Sequence, residues 1–122
     1  ILGDFLLRLE GLETTSNQQS VEEIVQAIPK GLILIFAGVI GPIFEEGIFR
    51  VGIQAFFKPA SKIGILVSSI LFALVHTPTD IGSFVIYWGM GLALSWVYLR
   101  TGRFEAAVLT HFVWNVIGIL ML

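Results

Sequence analysis

Three short patterns in a chain of 122 residues carry residue types that do chemistry. The first is Glu45-Glu46, with Arg50 four residues beyond Glu46. The second is Phe72 with His76, and the third is His111 with Asn115, both at the same spacing. Side chains four apart share one face of a helix. Glu46 and Arg50 are therefore set to pair within one helix, with the acid on the N-terminal side, the better orientation. Glu45 sits about 100° further round the same helix, away from that cation. It lies in line with Gly38, Gly41 and Gly52, where another helix can approach. Two acids against one base leave a carboxylate to spare.

A spare carboxylate held out of bulk water suits general-base work on a water molecule. A neutral imidazole can hold the same water from the other side. A second imidazole with an amide supplies donors for a developing oxyanion. The chain has no cysteine, which removes a thiolate nucleophile and a thiolate metal site. Ser68, Ser69, Ser83 and Ser95 have no base at a fitting spacing. The chemistry indicated is hydrolysis by activated water, most naturally of an amide bond. A zinc site would draw on Glu45, His76 and His111. The chain offers no H-E-x-x-H pairing, and Arg50 one turn from the carboxylates opposes a divalent cation. Neither a metal nor a cofactor is expected. The plainer alternative is a charge cluster that ties helices together, with histidines as hydrogen-bonding glue.

The elements that must position these groups follow from the composition. Hydrophobic residues make up 56% and charged residues 13%, with a mean hydropathy of +0.90. That excludes a disordered chain, a soluble coiled coil and a basic nucleic-acid binder, so no nucleic-acid partner is expected. Charges gather in the first quarter and in short loops, and only Glu45, Glu46 and Arg50 interrupt an apolar run. The pattern predicts an all-α, polytopic membrane bundle of about four transmembrane helices. The spans are about Gly31–Phe57, Ile63–Thr77, Ile81–Leu99 and Phe104–Leu122. The second is short and is expected to tilt or to end inside the bundle. Residues 1–30 form an N-terminal polar or interfacial segment, and 31–122 the membrane-embedded core. Ser20-Val21-Glu22-Glu23 reads as a capping box that starts a helix after a polar loop, and Pro29 ends it. Lys58, Lys62, Arg100 and Arg103 place their turns on the cytoplasmic side. The absence of an initiator Met and of a signal peptide points to a fragment of a larger cell-membrane protein. At ~1.5 Å per residue, Glu45, His76 and Asn115 fall in one layer, close enough to share a polar cavity with His111.

Taken in order, Glu45-Glu46-Gly47-Ile48-Phe49-Arg50 matches E-E-x-x-x-R. Phe72-Ala73-Leu74-Val75-His76 matches F-x-x-x-H, and His111-Phe112-Val113-Trp114-Asn115 matches H-x-x-x-N. The ordered set resembles the CAAX protease and bacteriocin-processing family, also called the Abi family, which includes the type II CAAX prenyl endopeptidases. The resemblance covers about Phe44 to Asn115. It implies a glutamate-dependent intramembrane endopeptidase acting on a peptide or protein substrate, possibly one held in the bilayer. In that reading Glu45 and His76 activate water, His111 and Asn115 form the oxyanion site, and Glu46, Arg50 and Phe72 support them. Two other functions fit the same residues: a non-enzymatic immunity or sensor-binding protein, and a proton or ion pathway.

Overall fold

The computed structural model describes residues 1–58 and 60–121, and every regular element among them is helical. Helix α1 spans Leu2–Leu9 and α2 spans Ser16–Ala27. The long α3 runs over Lys30–Gln54. Helices α4, α5 and α6 cover Lys62–Val75, Ile81–Thr101 and Phe104–Leu120. All four expected spans appear as helices. Of these, α3 and α5 are long and apolar enough to cross a membrane, while α4 and α6 are shorter apolar helices. The expected end of the last span at Leu122 lies outside the described residues, as does Pro59 in the turn after α3.

Local chemistry sets the boundaries. Helix α2 begins four residues before the expected capping box, because Thr15 is the residue that caps it. The Thr15 hydroxyl accepts from the Gln18 N–H at 3.1 Å. Ser20 instead lies inside the helix and donates back to the Ser16 carbonyl at 3.2 Å. Pro29 ends α2 as expected, with Ile28 extended before it. Helix α4 starts on a Ser61 cap and stops at Val75, two residues early. His76 closes it, Thr77 turns into the left-handed region at φ 47°, and Pro78 follows. Helix α5 starts on Asp80, whose carboxylate accepts from the Ser83 N–H at 2.6 Å. It continues to Thr101, because Gly102 is the first residue after Asp80 to take a left-handed φ, at 64°.

Helix α3 is not uniformly α-helical. It widens into π-helical turns over Leu34–Ile40 and again over Gly47–Gln54. The first widening follows from Pro42. The Gly41 N–H bonds to the Phe36 carbonyl, five residues back. The residue that would serve the Ala37 carbonyl in the same register is Pro42, which has no N–H. Ala37 is left with an open acceptor beside Glu45.

The bundle buries polar and charged groups beside an apolar cluster of Phe49, Phe72, Met90 and Leu94, and turns many large apolar side chains outward. Glu46, Arg50, Ser68, Ser69, Ser83, Ser95 and His111 are buried, whereas Phe36, Phe44, Ile48, Trp96 and Trp114 are exposed. A water-soluble fold shows the reverse bias. Helix α5 is central, packed on α4, α1 and α6. Gly91 makes the α4 approach possible, since a Cβ there would sit 3.0 Å from the Ser69 Cα. At the start of α5 a Cβ on Gly82 would sit 2.7 Å from the Leu7 backbone nitrogen, which fixes α1 against it. Glu10 then accepts from the Ile81 and Gly82 N–H groups at 3.2 and 3.1 Å.

Candidate active site

Helix α3 carries the two acids on different faces, as the 100° step requires. Glu46 is fully buried and holds two charge-assisted contacts. Arg50 Nε donates to its Oε2 at 2.8 Å, and His111 Nδ1 donates to its Oε1 at 2.9 Å. Arg50 is equally buried. Its Nη1 donates to the Ser68 and Ser95 hydroxyls at 2.9 and 3.1 Å. Its guanidinium carbon lies 5.2 Å over the Phe72 ring. The Ser68 hydroxyl in turn donates a hydrogen bond to the Phe49 carbonyl at 2.7 Å. The cation is thus held by α3, α4 and α5 together.

Phe72 joins the two halves of the site. It is fully buried, with ring contacts to Phe49 at 5.4 Å, His76 at 4.7 Å and His111 at 5.6 Å. Its carbonyl accepts from His76 Nδ1 at 2.7 Å. A carbonyl only accepts, so that nitrogen carries hydrogen, and Nε2 of His76 is the one left to face Glu45. The same logic applies to His111, whose Nδ1 faces a carboxylate already paired with Arg50.

Glu45 takes up the remaining geometry. Its Oε2 lies 3.8 Å from His76 Nε2 and 3.7 Å from His111 Nε2. Glu45 Oε2 and His111 Nε2 are both buried and have no hydrogen-bond partner. Glu45 and His76 line a cavity of about 500 Å³ together with Tyr87, Asn115, and Asn17 and Gln18 of α2. The Asn115 Nδ2 donates to the Ala37 carbonyl at 2.8 Å, the acceptor that the Pro42 register leaves open. Among the described residues no group of three His, Asp or Glu side chains is arranged to hold a metal ion.

All seven site residues read from the sequence lie in this one region. Two pairings differ from the simple reading. His111 is bonded to Glu46 and not grouped only with Asn115, and the Asn115 amide is anchored on α3. Ser68 and Ser95 had been set aside as nucleophiles, and they serve Arg50 instead. Tyr87, stacked on His76 at 4.4 Å and 13°, and Thr15, bonded to the Tyr87 hydroxyl at 2.9 Å, were not singled out at all. No motif signals them, since both contacts join separate helices.

This arrangement sits within a wider match. The profile described as Type II CAAX prenyl endopeptidase Rce1-like covers residues 27–117, which include every residue above except Thr15, Asn17 and Gln18. The chain belongs to that family. It is 33% identical over 124 residues to the UPF0177 protein YvdC of Lactococcus lactis, covering 99% of this chain and 46% of the relative. It is 31% identical over 113 residues to the membrane-embedded CAAX protease MroQ of Staphylococcus aureus, covering 86% of this chain and 44% of the relative. The chain therefore spans about half the length of these curated relatives. No solved structure matches it significantly.

Proposed function

We propose that the chain carries the catalytic core of a membrane-embedded, multi-pass endopeptidase that hydrolyses a peptide bond with water activated by Glu45 and His76. The observation that carries this reading is the convergence of two imidazole Nε2 atoms on Glu45 Oε2, His76 at 3.8 Å and His111 at 3.7 Å, with Glu45 and His76 lining a cavity. Each ring is held by its other nitrogen, so both present a fixed atom to the same point. Family membership and the name of the Staphylococcus relative support a protease. The apolar exterior and the two long apolar helices support a bilayer setting.

In this mechanism Glu45 takes a proton from the water as its oxygen attacks the scissile carbonyl carbon. Three acceptors surround that water, which has two hydrogens. One further proton completes the set, and on His111 Nε2 it becomes a donor. The carbonyl oxygen gains the electron pair and is met by His111 Nε2–H and by the second hydrogen of Asn115 Nδ2. When the carbon–nitrogen bond breaks, the proton held by Glu45 passes to the leaving amine, with His76 ordering the exchange. Glu46 fixes the His111 ring, and Arg50 neutralises Glu46. The substrate is a peptide or protein, presented from within or beside the bilayer.

The test is a proteomic comparison of cells carrying the full-length wild type and its Glu45→Gln form. Peptides released only by the wild type are expected, with equal membrane levels of both proteins. Identical peptide sets would overturn the reading.

A further inference from the structure

The ring of His76 needs more support than its own helix gives. His76 sits one residue past the end of α4, where it is held from that side by the Phe72 carbonyl and by the Phe72 ring at 4.7 Å. The opposite face of the ring lies flat on Tyr87 of α5, centroids 4.4 Å apart and planes 13° apart. Tyr87 is buried, and its hydroxyl bonds at 2.9 Å to the buried hydroxyl of Thr15. Thr15 is also the cap of α2, accepting from the Gln18 N–H. The next residue, Ser16, donates to the Thr77 carbonyl at 3.1 Å, directly after His76. The start of α2 thus grips the His76 turn from two sides.

Helix α2 has little else to hold it. None of its residues is buried, and among the described residues its other polar tie to the bundle is a 3.4 Å bond from Gln18 Nε2 to the Gly118 carbonyl. Yet Asn17, Gln18 and Val21 form one wall of the cavity that holds Glu45 and His76. Whatever moves α2 moves Thr15, and Thr15 acts on the ring through one phenol.

We propose that Tyr87 is a positioning residue, stacked on His76 and pinned by Thr15, so that the α2 wall and the water-holding ring are set together. The ring does one task and the hydroxyl another. The stack fixes the direction of Nε2 for the chemical step. The hydroxyl fixes the wall against which a peptide lies. This rests on the role given to His76 above, but the tie between Tyr87 and α2 stands apart from catalysis.

The experiment uses the full-length protein in lipid nanodiscs with four variants: Tyr87→Phe, Tyr87→Leu, Thr15→Val and the Thr15→Val/Tyr87→Phe double. Amide hydrogen exchange is followed over residues 16–27. Loss of one buried neutral hydrogen bond should speed exchange there by about fivefold. Thr15→Val should speed it further than Tyr87→Phe, because it also removes the cap on the Gln18 N–H, and the double should match Thr15→Val, because the Thr15–Tyr87 bond is already lost in that single variant. Turnover is read on a synthetic peptide spanning the cleavage site found in the Glu45→Gln comparison. Tyr87→Phe, which keeps the stack, should raise KM and leave kcat within about twofold. Tyr87→Leu should lower kcat by about tenfold or more. Unchanged exchange in Tyr87→Phe, a double that exceeds Thr15→Val, or wild-type kcat in Tyr87→Leu overturns the proposal. Failure of the base assignment looks different: Glu45→Gln would still release product, whatever the exchange data show.

Discussion

Glu45 and Glu46 are neighbours in sequence, yet the structure gives them opposite responses to the same change. Glu46 is fully buried, with Arg50 at 2.8 Å and His111 at 2.9 Å. Glu46→Gln removes the charge and leaves an equally buried guanidinium with two hydroxyls and an amide. Breaking one side of a buried pair costs about 3–5 kcal/mol. Glu45 makes no ion pair with a lysine or arginine, its side chain is 33% exposed, and its Oε2 has no hydrogen-bond partner. Glu45→Gln should shift stability by no more than about 0.5 kcal/mol, while removal of the general base lowers turnover by about 10²–10⁴-fold. Unfolding of the purified full-length protein in mixed micelles, read beside product release, separates the two effects. The double Glu46→Gln/Arg50→Met should recover much of the stability that Glu46→Gln loses, because no charge is then stranded. A Glu45→Gln protein that unfolds as early as Glu46→Gln would make Glu45 a structural tie and refute the reasoning. So would a Glu46→Gln protein as stable as the wild type.

Three further outcomes follow from the packing and the site. Gly91→Leu would push side-chain atoms into the Ser69 backbone, where a Cβ already lies at 3.0 Å. It should cost about 1–3 kcal/mol in the same unfolding assay. Asn115→Ala strands the Ala37 carbonyl, at a cost of about 1–3 kcal/mol, and hydrogen exchange over residues 38–43 should quicken. Activity of the purified protein should survive a strong zinc chelator, since the water-activating atoms act as base and hydrogen-bond partners. Loss of activity that added zinc restores would instead assign Glu45, His76 and His111 as ligands.

The helices and the site residues were legible for different reasons. Apolar runs broken by Pro29, by the Lys58–Lys62 turn and by the Arg100–Arg103 turn set where helices fall, although Gly102, which ends α5 at Thr101, was not read. The i, i+4 spacings fixed which groups share a face, so the Glu46–Arg50 pair and the separate direction of Glu45 could be read from one helix alone. What could not be read is the rotation of one helix against another. His111 reaching Glu46, and Tyr87 lying on His76, depend on that rotation. Spacing also said nothing of the π-helical register. Pro42 announces a disturbance, but only the chain beside it shows that Asn115 takes the Ala37 carbonyl. The start of α2 was misplaced because two candidate caps lie within five residues. Thr15 prevails, and its hydroxyl bonds to Tyr87 from the same position.

Helix α4 is 14 residues long, about 21 Å end to end. A lipid hydrocarbon layer measures ~30 Å, and a span that short draws the leaflets together around itself. In the bilayer setting proposed above, a shortfall at the end that carries His76, beside the turn through Thr77 and Asp80, would bring solvent down towards the level of the two imidazoles. For the endopeptidase proposed above, the scarce reagent in oil would be water, and hydrophobic mismatch at one truncated rod would deliver it.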